Sequence, residues 1–136
     1  MTKNMLKFLR IESSKFTPGI VLDPIHYVFE FYGFSLPENA IDFYSPVIEW
    51  LHDLKKEIAL KSILPQEINV IFKLVYYNSA SLRQLVEIFH ILSEINQLNV
   101  TVKIAWQYDS EDPQMADSGK ELGEITKIPV NIVAYN

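Results

Sequence analysis

Ile68-Asn69-Val70-Ile71-Phe72-Lys73-Leu74-Val75-Tyr76 decides how the rest of the chain is read. Apolar residues fall at every second position, 68, 70, 72, 74 and 76, and a period of two is that of a strand. Ile71 and Val75 make its second face partly apolar, which implies a central strand covered at least in part on both sides. Downstream, Leu82, Leu85, Val86, Phe89, Leu92 and Ile95 recur at three- and four-residue steps, the spacing of an amphipathic helix. Residues 100–108 alternate again, Val100, Val102, Ile104, Trp106 and Tyr108 against a wetter set of Thr101, Lys103, Ala105 and Gln107. Asp112-Pro113 reads as an N-cap followed by proline at the first helical position, opening a third helix to about Lys127. Pro129 stops it, and residues 130–135 form the last strand.

Upstream, residues 5–11 read as a first strand. Residues 20–22 and 27–32 read as a hairpin around Asp23-Pro24-Ile25-His26, where proline presets a turn dihedral. Gly33 ends that run. Ile41, Tyr44, Ile48, Leu51, Leu54 and Ile58 then mark a helix with Asn39 as its N-cap. Pro46 predicts a kink, or a short first turn, because its ring crowds the turn before it and leaves the Asp42 carbonyl without a donor. Strands that alternate with helices predict an α/β fold. Helices pack on a mixed or parallel sheet, and strands 68–76, 100–108 and 130–135 run parallel through right-handed crossovers.

The whole chain, 136 residues with 49% apolar composition, is expected to be a single domain that buries a full core. It contains no cysteine, which excludes disulfides, thiolate metal sites and cysteine nucleophiles. Seventeen acidic residues against twelve basic ones give a formal charge of −5 with no basic cluster, which argues against nucleic acid. No apolar run approaches the roughly 20 residues of a membrane span, and no signal peptide is read at the start, so no membrane is expected and the cytoplasm is the default location.

Catalytic chemistry finds little purchase. His26, His52 and His90 lack metal-pair spacing and read as surface residues. Asp109, Glu111 and Asp112 could offer oxygens to a cation, but a loop and a helix N-terminus account for them. The four glycines match no phosphate-binding pattern. Gly119 and Gly123 read as close-packing positions, and Trp50 and Trp106 as core aromatics. No enzyme and no cofactor is expected. In Tyr77-Asn78-Ser79-Ala80-Ser81 a strand runs into a helix start. Ser81-Leu82-Arg83-Gln84 fits a capping box, which makes Ser81 the N-cap. Ser79 then lies outside the helix, exposed, where a phosphate would meet free N–H groups and the positive end of the helix dipole. Turn and cap chemistry alone is the competing account of this segment.

Several pieces together carry a family resemblance: Thr17-Pro18-Gly19-Ile20-Val21-Leu22-Asp23-Pro24, Leu36-Pro37-Glu38-Asn39-Ala40, Pro46-Val47-Ile48-Glu49-Trp50-Leu51, Tyr77-Asn78-Ser79-Ala80-Ser81 and Ile128-Pro129-Val130-Asn131-Ile132. In order and spacing, from about Ile11 to Tyr135, the chain resembles the SiaC family of bacterial regulatory phosphoproteins. The resemblance implies a STAS-like fold: a mixed sheet, about three helices and an N-terminal hairpin. It implies phosphorylation by a dedicated Ser/Thr kinase, removal of the phosphate by a PP2C-like phosphatase, and binding of a diguanylate cyclase by the unphosphorylated form. The family acceptor follows the asparagine of an Asn-Thr-Ser-Ser stretch, which places it at Ser79, with Ala80 in place of a serine. Tyr77, Asn78, Ser81, Glu38 and Asn39 are the expected partner-binding residues, since both helix starts could share one end of the sheet. The alternative is a constitutive interaction scaffold or a homodimer that uses the face or edge of the sheet.

Overall fold

The computed structural model describes residues 6–136. Six strands and three helices follow one another as β1 (Leu9–Ile11), β2 (Gly19–Asp23), β3 (Val28–Ser35), α1 (Ala40–Ala59), β4 (Glu67–Tyr77), α2 (Ser79–Asn96), β5 (Thr101–Asp109), α3 (Pro113–Thr126) and β6 (Val130–Tyr135). They form one mixed sheet in chain order, β1-β2-β3-β4-β5-β6. The first two pairings are antiparallel and the last three parallel. The expected hairpin, helices and parallel strands are all present. The part of the first strand expected at Met5 lies outside the described residues.

Strand order explains how the layers form. Each helix links a strand to its immediate right-hand neighbour, so crossovers of one hand put all three helices on one face. Burial agrees. Ile68, Val70, Phe72 and Leu74 of β4 are buried, whereas Lys73 and Val75 are exposed and Ile71 is half-buried. The expectation of a strand covered on both sides is therefore corrected, and among the described residues no helix lies over the second face of β4. Phe72 is the hub of the covered side. It stacks on Phe31 of β3 at 4.7 Å and meets Phe89 of α2 at 5.0 Å and Trp106 of β5 at 5.5 Å. Such pairs contribute about 0.5–1.5 kcal/mol each beyond their burial.

Two local readings are also corrected. α1 runs through Pro46 as one helix. Asp42 and Pro46 are both exposed, so water can take the place of the missing donor at the Asp42 carbonyl. β3 does not end at Gly33 but continues to Ser35, and Gly33 takes a φ of 95°, which suits a residue without a Cβ.

Trp50 and Trp106 lie in the core as expected, and each indole N–H donates to a backbone carbonyl, that of Lys7 at 2.6 Å and Met115 at 2.8 Å. Gly119 faces the Trp106 ring so closely that a Cβ would lie 2.5 Å from it, and one at Gly123 would lie 2.8 Å from Val130. Both glycines let α3 settle onto the sheet.

Candidate functional site at the carboxyl end of the sheet

β3 and β4 run parallel, so the helices that follow them begin at the same end of the sheet. Asn39 caps α1 as expected, its Oδ1 accepting the Asp42 N–H at 3.1 Å. The cap of α2 differs from expectation. Asn78 is the N-cap, with Oδ1 accepting the Ser81 N–H at 2.9 Å, and its carbonyl accepts from Leu82. Ser79 is therefore the first residue inside the helix, not a residue two places before the cap. It is exposed, as is Ala80. The amides of both point out of the helix start, where no carbonyl of their own helix can reach them.

Ser81 is not the cap but an interior residue, 0% exposed. Its Oγ donates to the Ser35 carbonyl at 2.9 Å and lies 2.7 Å from the Ser35 Oγ, which lies 2.6 Å from the Tyr44 hydroxyl. The carbonyl can only accept, which fixes every proton upstream: Tyr44 donates to Ser35, Ser35 to Ser81, and Ser81 back to the Ser35 carbonyl. The Asn78 N–H also reaches that carbonyl, at 3.2 Å. The chain thus ties the first turn of α2 to α1 and to the end of β3. Burial pushes the Tyr44 hydroxyl up to about 12, partly opposed by its bond to Ser35. Ser81 has no surface to offer a partner, so its expected role in partner binding is withdrawn; its role is to hold the turn that carries Ser79.

A bulge sets the direction of the remaining residues. Gly33 pairs with Leu74 and Phe34 with Tyr76, so Val75 is the extra residue on β4. An extra residue reverses the alternation beyond it. Tyr76, expected on the buried face, is instead 53% exposed. Tyr77 turns inward and meets Trp106 edge to face at 6.5 Å. Its hydroxyl is raised above the usual tyrosine range, chiefly by burial and opposed by a hydrogen bond with Ser118. Tyr77 and Asn78 remain half-buried, and Glu38 and Asn39 are exposed.

The same end carries apolar side chains that the periodicity assigned to the core. Ile41 in the first turn of α1 is 69% exposed, and Leu82 in the first turn of α2 is exposed as well. Phe34, which pairs with Tyr76, is also exposed. A helical period marks a face but not how far the first turn projects beyond the sheet, so these residues carried no signal in the sequence.

The acidic loop has structural duties. Asp109 accepts the Glu111 N–H at 2.9 Å, and Asp112 caps α3 through the Met115 N–H at 3.3 Å. Among the described residues no group of three potential ligands is placed to hold a metal ion. His52 and His90 are exposed on their helices, and exposed His26 pairs with Asp23 at 2.9 Å, holding that carboxyl below its usual range. No helix among the described residues is long and apolar enough to cross a membrane.

These features define a one-sided α/β domain whose accessible hydroxyl sits at the start of a helix tethered to its neighbour. The chain belongs to the SiaC family of regulatory phosphoproteins, whose family model matches residues 11–135. An uncharacterized protein of Pseudomonas aeruginosa strain UCBPP-PA14 is 27% identical over 128 residues, 94% of this chain and 97% of that protein. The crystal structure of apo-SiaC from Pseudomonas aeruginosa is similar with a TM-score of 0.82 at 25% identity, covering 94% of this chain and 99% of that one. A chain in the crystal structure of the diguanylate cyclase SiaD in complex with its activator SiaC, from the same organism, gives a TM-score of 0.83 at 25% identity, over 93% of this chain and 99% of that one.

Proposed function

We propose that this chain is a non-enzymatic cytoplasmic signalling regulator, switched by reversible phosphorylation of Ser79. Its unphosphorylated form binds a protein partner such as a diguanylate cyclase, while a Ser/Thr kinase and a PP2C-like phosphatase set its state. The exposed hydroxyl of Ser79 at the first position of α2 carries this reading. A phosphate there would add about −1.5 to −2 charges beside two outward-pointing amides and the positive helix end. Asn78 and Tyr77 flank the acceptor, and Glu38 and Asn39 lie at the same end. The exposed Ile41, Leu82, Phe34 and Tyr76 supply apolar area for a partner, with the phosphate as the element that repels it. The complex of SiaC with SiaD supports a cyclase as the class of partner.

The test is mass spectrometry of the protein from its native cells, with partner capture by Ser79→Ala and Ser79→Asp forms. Phosphate on Ser79, and a partner retained by the alanine form but lost by the aspartate form, is the expected result. Equal capture by both forms would overturn the switch.

A further inference from the structure

The two edges of the sheet are built differently. β1 is three residues long and carries Arg10, a short and charged edge of the kind that discourages further pairing. β6 is six residues long, Val130-Asn131-Ile132-Val133-Ala134-Tyr135, and carries no charge. Its outer side has no strand beside it among the described residues.

The backbone fixes which groups that edge presents. The Tyr135 carbonyl accepts the Ser110 N–H at 3.0 Å, so Tyr135 directs its peptide groups towards β5. Alternation sends those of Val133 and Asn131 the same way and those of Val130, Ile132 and Ala134 outward. Three outward residues centred on Ile132 are self-complementary. Placed antiparallel about a two-fold axis, Ile132 exchanges both bonds with Ile132 of a second copy, and Val130 does so with Ala134. Side chains agree with this register. Ile132 meets its own copy beside the core, and half-buried Val130 lies against exposed Ala134. On the uncovered face exposed Asn131 adjoins exposed Val133. The surface bordering the start of β6 carries Lys120, Glu124 and Lys127, and the two-fold axis at Ile132 sets it against the Ala134 end of the second copy, so these charges do not meet their own counterparts.

We infer that β6 is a self-association edge, through which two copies of this chain join antiparallel about Ile132 into one continuous sheet. The phosphoacceptor turn lies beyond β4, two strands inward, and takes no part in this contact.

The experiment uses the full chain. Sedimentation over a concentration series reads the monomer–dimer equilibrium, and amide exchange by NMR reads the edge. In the dimer the amides of Val130, Ile132 and Ala134 gain protection as concentration rises, while those of Asn131, Val133 and Tyr135, already bonded to β5, do not change. Ala134→Pro removes an outward N–H without breaking a bond to β5, and raises the dissociation constant by at least about tenfold. A melting curve shows that the variant is folded. A monomer at every concentration overturns the inference. So does a dimer in which the outward amides stay unprotected, which would place the contact elsewhere on the surface.

Discussion

The hydroxyl chain beneath Ser79 has a direction, and direction makes an unequal prediction for its three members. Ser81→Ala removes the acceptor of the Ser35 O–H and one of two donors to the Ser35 carbonyl, at a site where Ser35 and Ser81 are both 0% exposed. A buried polar group left without a partner costs about 1–3 kcal/mol. Ser35→Ala strands the Tyr44 hydroxyl in the same way and should cost a similar amount. Tyr44→Phe removes only the first donor. Ser35 still donates to Ser81, nothing is stranded, and the cost is that of one net hydrogen bond, about 0.5–1.5 kcal/mol. The assay is urea unfolding, read as a lower midpoint at constant slope. The double variant Ser35→Ala/Ser81→Ala should lose less than the sum of its parts, since Ser35→Ala removes the very hydroxyl that Ser81→Ala strands and leaves only Tyr44 unpaired. If Tyr44→Phe costs as much as Ser81→Ala, the assigned direction is wrong.

Three further outcomes follow from the geometry. Tyr44 ionises near 10 when unfolded and is pushed up to about 12 when folded, so between those values the unfolded chain has released a proton that the folded chain keeps. About 2–3 kcal/mol of stability, fully present below pH 10, should fade as pH rises to 12, and Tyr44→Phe should flatten that part of the stability profile. Ser79→Asp puts a negative charge at the first position of α2 and should stabilise the fold by about 0.3–1 kcal/mol in thermal unfolding; a clear loss would contradict Ser79's place in the helix. Gly119→Ala drives a Cβ into the Trp106 ring, and overpacking of about 1–3 kcal/mol should outweigh the roughly 1 kcal/mol that alanine gains in a helix, lowering the melting temperature and disturbing the near-UV signal.

The elements were legible where local chemistry acts alone. Asn39 caps α1 and Asp112-Pro113 opens α3, because a cap answers only to amides two or three residues on. Asn78-Ser79-Ala80-Ser81 offers two overlapping caps, one from Asn78 and one from Ser81. The choice is made by Ser35, 46 residues away in sequence, which draws Ser81 inside. Nothing near position 81 carries that information. The bulge at Val75 was equally hidden, since it is a mismatch between β4 and β3 and belongs to neither alone. Ile71 and Val75 suggested a second covered face because composition measures apolarity, whereas the strand order decides which side the helices take. Ser79, the proposed acceptor, was singled out through the family pattern around Asn78, whereas the exposed patch of Ile41, Leu82, Phe34 and Tyr76 near it left no such mark in the sequence.

The agreement between strand order and chain order also bears on how the molecule is made. As the chain leaves the ribosome, each strand emerges after the one it must pair with, and none has to be threaded between two already joined. The neighbouring pairings keep loop closures modest, which favours speed and shortens exposure of unpaired edges. Growth proceeds across the sheet in one direction, from β1 to β6, so each new strand finds its partner's edge already waiting.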